Sequence, residues 1–213
     1  MEIKNPKKSM VKYKVRVHED GREYGKYKLK PNSQIDLEDL QRALDGEPLS
    51  DGHKPHWVHL LRDKSYVVIT YHIGSRKMEA TKVMKEDMVF TDDYLFIKIP
   101  AFKHGERADI LKLKMSNLGI NLVKQQWDKT KKNSQVWNLS SSTAYRVVIR
   151  ALGKCPHWLR HNWITGKQQQ LQGTPSEVDR KIQAWTGIKH RETLDNYRLK
   201  MKKDIDEIAE LEV

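Results

Sequence analysis

A single cysteine in 213 residues, Cys155, excludes an intrachain disulfide and a cysteine-based zinc site. No apolar run reaches the length of a membrane-spanning helix, and the opening Met-Glu-Ile-Lys-Asn-Pro-Lys-Lys lacks the apolar core of a signal peptide. A soluble, intracellular protein is therefore expected. Acidic side chains are outnumbered, 28 against 40 Lys and Arg, which leaves a formal charge of +12. That excess points to a polyanionic partner, because phosphate contacts by Lys and Arg release condensed counterions; an anionic membrane is the alternative. Phenylalanine is scarce, at 3 residues, yet 6 tryptophans and 38% hydrophobic residues favour a folded globule over a disordered chain. No internal repeat is evident.

Periodicity organises most of the chain. Val11, Tyr13, Val15 and Val17 alternate with basic residues, and Asp20-Gly21 is a turn signal, so a short basic hairpin is expected over Val11 to Leu29. Such a hairpin suits either a DNA backbone or an ordinary charged sheet edge. Leu37, Leu40 and Leu44 fall at helical spacing and end near Gly46. His53, His56 and His59 recur every third residue, but Pro55 interrupts any helix that would align them, and no metal site is expected there. Trp57 to Ile73 reads as a buried helix stopped by Gly74.

Beyond Gly74 a turn opens a short helix, and Leu95, Ile97 and Ile99 then alternate as a strand. Phe102 to Arg107 reads as a hairpin tip presenting Lys103. Helices are expected over Met115 to Trp127 and Ser140 to Leu152, with a polar basic link at Lys129 to Asn133. The run Gln168 to Gly173 reads as a glutamine-rich loop. Thr174-Pro175-Ser176-Glu177 is a capping box with proline in the first turn, starting a helix that runs to about Trp185. A helical tail is expected over Glu192 to Val213, with Ile205, Ile208 and Leu211 as its apolar stripe.

The stretch Pro156 to Trp163 concentrates chemistry. His157 and Arg160 are three residues apart and share a helical face, where a protonatable ring and a planar fork of donors suit one small anion such as phosphate. A solvated helix end in a basic protein is the plainer reading of that stretch taken alone.

Four stretches in order, Gly74-Ser75-Arg76-Lys77-Met78-Glu79-Ala80, the hairpin lysine Lys103, His157-Trp158-Leu159-Arg160-His161, and Asn196-Tyr197-Arg198, resemble the catalytic domain of the tyrosine recombinase or phage integrase family. The resemblance implies a mainly helical α+β fold with a small antiparallel sheet over residues 34–213, preceded by a basic segment over residues 1–33. It also implies double-stranded DNA as partner, a cytoplasmic or nucleoid-associated setting, and self-association on DNA through the C-terminal tail.

In the chemistry that the resemblance implies, Tyr197 attacks a backbone phosphate and forms a 3′-phosphotyrosyl link. Arg76 and Arg160 clamp the non-bridging oxygens, His157 binds the phosphate and assists proton transfer, and Lys103 protonates the departing 5′ oxygen. The covalent link conserves the energy of the broken bond, so no cofactor, metal or ATP is required. A type IB topoisomerase, which relaxes and reseals one strand, and a non-cutting DNA-binding relative use the same framework.

Two features depart from the family pattern. A His or Trp usually stands nine residues before the tyrosine, and here that position is Ile188; His190 or Lys189 is the candidate replacement, with Trp185 left for packing. Only about thirty residues precede the catalytic region, so either the chain is a catalytic fragment or the basic hairpin serves as a reduced clamp.

Overall fold

The helix α2, Leu60–Ile73, carries Tyr66, Val67, Val68, Ile69 and Ile73 without solvent exposure. A helix buried on every side over this stretch has to be surrounded, and four later helices pack against this one. The computed structural model describes residues 10–17, 23–29, 35–100, 110–190 and 193–194, the first two stretches as backbone alone. In those two stretches β1, Met10–Val17, pairs antiparallel with β2, Glu23–Leu29, as the alternation predicts, with a register irregularity between Lys12 and Lys14.

The helix α1, Leu37–Asp45, is capped by Asp36, whose carboxylate accepts from the Asp39 amide at 2.8 Å, and ends at Gly46. Its buried apolar face is Leu40, Ala43 and Leu44; Leu37, expected on that stripe, is exposed because it stands in the first turn, before the helix meets the core. The helix α2 begins three residues later than the expected start at Trp57. The Asp63 carboxylate accepts from the His59 amide at 3.0 Å and fixes the helix start there, while the Trp57 indole donates to the Ala43 carbonyl of α1 at 3.1 Å. After Gly74 the short α3, Lys77–Thr81, packs against α2.

A three-stranded antiparallel sheet follows: β3, Met88–Phe90, β4, Tyr94–Ile97, and β5, Leu111–Lys114, in that spatial order. Leu95 opposes Leu113 and Ile97 opposes both Met88 and Leu111, so one apolar face enters the core while Lys112 and Lys114 point away.

The helix α4, Ile120–Lys129, starts later than the expected Met115. Gly119 takes a left-handed φ of 77°, and a Cβ there would stand 2.6 Å from Val68 Cγ2, so the chain turns where it crosses closest to α2. The helix α5, Ser141–Leu152, is capped by Ser140 and closed by Gly153. The helix α6, Pro156–Gln170, takes in Gln168, Gln169 and Gln170 of the expected loop and leaves Leu171 to Gly173 outside it; Gln168 is buried, and the helix closes with the Leu171 amide on the Lys167 carbonyl at 3.0 Å. The helix α7, Pro175–Thr186, has the Thr174–Glu177 capping box and ends at Gly187.

The expected class, mainly helical α+β with a small antiparallel sheet, is the class observed. Beside the main core, Ile164 of α6, Val178 and Ile182 of α7, and Ile188 and Leu194 beyond it form a second apolar cluster. Of the expected C-terminal helix, Thr193 and Leu194 are helical; its remainder, with Tyr197 and the stripe Ile205, Ile208 and Leu211, lies outside the described residues. The Asp20-Gly21 turn and the hairpin tip bearing Lys103 also lie outside them.

Candidate active site

The carbonyls of the last turn of a helix have no partner within it, and α2 solves this with side chains from two other helices. Trp163 Nε1 donates to the His72 carbonyl at 2.7 Å, Trp185 Nε1 to the Ile73 carbonyl at 3.2 Å, and Arg160 Nη1 to the Gly74 carbonyl at 2.9 Å. The two indoles stack at 5.6 Å with 16° between their planes. Gly74 has φ of 55°, and a Cβ on it would stand 2.8 Å from Trp163 Cγ, so glycine is required on both counts. Trp185, expected to serve packing only, thus joins Trp163 and Arg160 in fixing the turn that presents Arg76.

Arg76 is the residue before α3, and its amide donates to Glu79 Oε2 at 2.8 Å while its Nη1 donates to Glu79 Oε1 at 2.7 Å. Arg160 Nη1 lies 4.0 Å from Glu79 Oε2, and Arg160 Nη2 donates to the Thr186 carbonyl at 3.0 Å. Arg160 is 2% exposed and Glu79 1%, whereas the Arg76 side chain is 37% exposed. One buried carboxylate therefore holds two guanidiniums in a common place, leaving a positive excess beside solvent. That arrangement can grip an anion with charge-assisted bonds at little cost in side-chain ordering.

His157 stands in the first turn of α6, one turn before His161, with 3.1 Å between their Nε2 atoms and the rings edge to face at 4.7 Å. His157 is exposed, yet the partial desolvation of its ring by the surrounding protein, then the charges of Arg160 and Arg76, pull its pKa below the ordinary value. Burial, then His157 and Arg160, push the pKa of His161 down to about 3. Both rings are neutral near pH 7.

Of the residues singled out in the sequence, Arg76, His157 and Arg160 come together. Lys103 and Tyr197 lie outside the described residues. Lys189 and His190 are exposed, and among the described residues neither side chain makes a hydrogen bond or ion pair; their carbonyls accept from Gln183 Nε2 and the Thr193 amide. Ile188 is buried in the second apolar cluster.

Two residues of this site were missed as members: Glu79, whose signal was its i+3 spacing from Arg76, and His161, next to Arg160 and one turn from His157. Among the described residues no group of three or more His, Cys, Asp or Glu is placed to hold a metal, and the His53 ring lies 2.9 Å from the Arg150 carbonyl. A cavity of about 1210 Å³ opens on another side of α6, lined by Tyr71, Asn162, Trp163, Lys114, Lys167 and Lys181 among others.

No protein-family model matches the sequence, and no curated protein matches it. Solved structures do. The XerH site-specific recombinase in a pre-cleavage complex with its difH substrate superposes with a TM-score of 0.58 at 18% identity, over 89% of this chain and 58% of that one. The XerH post-cleavage complex on palindromic difH gives 0.59 at 18% identity, over 91% of this chain and 60% of that one. The XerA recombinase gives 0.52 at 14% identity, over 79% and 60%. The chain thus spans about three fifths of the length of these structures, and at such identity the likeness is one of fold: that of the tyrosine recombinase catalytic domain.

Proposed function

We propose that the protein breaks and rejoins double-stranded DNA as a site-specific recombinase, with Tyr197 as nucleophile. The observation that carries this reading is the placement of Arg76 and Arg160 on Glu79, with His157 within reach of the charge of both guanidiniums, on a fold whose matched structures are recombinases. The Tyr197 oxygen attacks phosphorus, an O–P bond forms to the 3′ side, and the P–O5′ bond breaks. Lys103 gives a proton to the 5′ oxygen, and solvent water takes the phenol proton. Arg76 and Arg160 grip the non-bridging oxygens as charge accumulates on them, and His157 adds a hydrogen bond and assists proton transfer. Resealing is the same displacement run backwards by a 5′ hydroxyl. Residues 34–213 constitute the catalytic unit, the basic segment of residues 1–33 lies along the DNA backbone, and the tail after Tyr197 mediates self-association on DNA.

Ile188 supports a second reading, a DNA-binding relative that no longer cuts, because its side chain is committed to an apolar cluster and offers the phosphate no polar group. In the catalytic reading His190, or Lys189 beside it, supplies that group, and His190→Ala slows cleavage; an unchanged rate removes this assignment.

The deciding experiment incubates nicked duplexes with randomised cores in EDTA at low salt with wild type and with Tyr197→Phe. A 3′-linked protein–DNA adduct with wild type alone is the expected result. Binding without an adduct from either protein favours the non-cutting reading, and relaxation of supercoiled DNA without exchange of flanks marks strand swivelling in place of recombination.

A further inference from the structure

A contact of 3.1 Å between the Nε2 atoms of His157 and His161 is a hydrogen bond only when one nitrogen carries the proton and the other is bare. Nε2 of His157 is therefore engaged inside the protein. Its Nδ1 is the ring atom left for a ligand, and it has no hydrogen-bond partner among the described residues. Phosphate oxygens accept, so Nδ1 can bind one only if it bears the proton. In a neutral ring that leaves Nε2 bare, and the donor in the contact has to be His161.

We propose that His161 is a positioning residue: by donating its Nε2–H to His157 Nε2, it holds His157 in the Nδ1–H tautomer that meets a phosphate held by Arg76 and Arg160. The tautomer of a histidine is set by the bond its other nitrogen makes, and His161 is placed to make that bond. The doubly protonated ring, which would not need a partner to present Nδ1–H, is disfavoured at this place. Among the described residues the charges that act on the pair are the guanidiniums of Arg160 and Arg76, and the Glu79 carboxylate is engaged by both of these. The inference rests on the recombinase reading for the identity of the phosphate, but the tautomer is a property of the free protein.

Long-range proton–nitrogen correlation spectra of the full chain at pH 7.5, with His157→Gln used to assign the signals, read the tautomer directly. The expected result is a protonated Nδ1 on His157 in wild type, a shift to protonated Nε2 in His161→Leu, and return of the wild-type pattern in His161→Gln, whose amide can donate. A His157 that is protonated on Nε2 in wild type, or that is unaltered in His161→Leu, overturns the proposal. In single-turnover cleavage of a nicked duplex, His161→Leu should slow the chemical step on the order of tenfold, more than it weakens DNA binding, with recovery in His161→Gln. Equal rates for wild type and His161→Leu overturn the proposed role. If wild type forms no adduct, the recombinase reading fails by itself, and the spectra still decide whether His161 sets the tautomer.

Discussion

Glu79 shows how a residue of the wrong charge can organise an anion site. A carboxylate would repel a phosphate, yet this one is buried and spent on Arg76 and Arg160, so what reaches solvent is the positive excess of the three groups. Removing one partner of a buried charged set leaves the others desolvated without compensation. Glu79→Ala is therefore expected to lower stability by about 3 kcal/mol in urea unfolding, with a smaller loss for Glu79→Gln, which keeps an acceptor for the Arg76 amide. A loss within experimental error for Glu79→Ala would show that the two arginines do not depend on it. Spacing made His157 and Arg160 legible in the sequence as a pair on one face. Glu79 was not, because its value comes from burial, and its i+3 distance from Arg76 reads equally as an ordinary surface ion pair. Ile188 was legible as a departure from the family pattern, but only packing against Ile164, Val178 and Ile182 gives it a structural reason.

At the scale of the element, the end of α2 is where sequence signals and tertiary ties meet. The stop at Gly74, like that at Gly46, was readable because each glycine follows an apolar periodic run and takes the left-handed conformation that closes a helix. The starts of α2 and α4 were not, since one is set by Asp63 reaching back to His59 and the other by Gly119 passing over Val68. Nor did the sequence show that the last two carbonyls of α2 and that of Gly74 would be tied to Trp163, Trp185 and Arg160. Gly74→Ala places a methyl against the Trp163 ring and forces a left-handed φ on alanine. The expected cost is about 1–3 kcal/mol in urea unfolding. Because the same turn carries Arg76, adduct formation should fall further than the unfolded fraction accounts for. Loss of activity in strict proportion to unfolding would mean that the turn does not position Arg76.

Over the whole molecule, the balance of charge governs both association and stability. A chain of formal charge +12 that neutralises DNA phosphates should lose affinity steeply with salt, on the order of a thousandfold or more between 50 and 200 mM if six or more contacts form. Fluorescence anisotropy with a labelled duplex measures that slope, and a flat response would remove DNA as the polyanion. Acid should act on stability through histidines rather than carboxylates at first. His72, His157 and His161 all have folded-state pKa values below the ordinary 6.5, chiefly through burial.

In the unfolded chain those rings protonate as pH falls through that ordinary value, while the folded protein still keeps them neutral. The unfolded state then binds more protons, and stability declines with falling pH until the folded pKa is passed, about 3 for His161. Each fully shifted histidine adds a slope of up to about 1.4 kcal/mol per pH unit, and the partly solvated His157 adds less. Urea unfolding at pH 7.5, 6 and 5 reads chiefly the histidines, because most carboxylate protonation in the unfolded chain lies below pH 5. Stability should drop across that series, and His161→Gln should flatten the drop. Equal stability at pH 7.5 and 5 would mean that these three rings are protonated alike in both states, and the neutral His157–His161 pair on which the phosphate contact depends would then be lost.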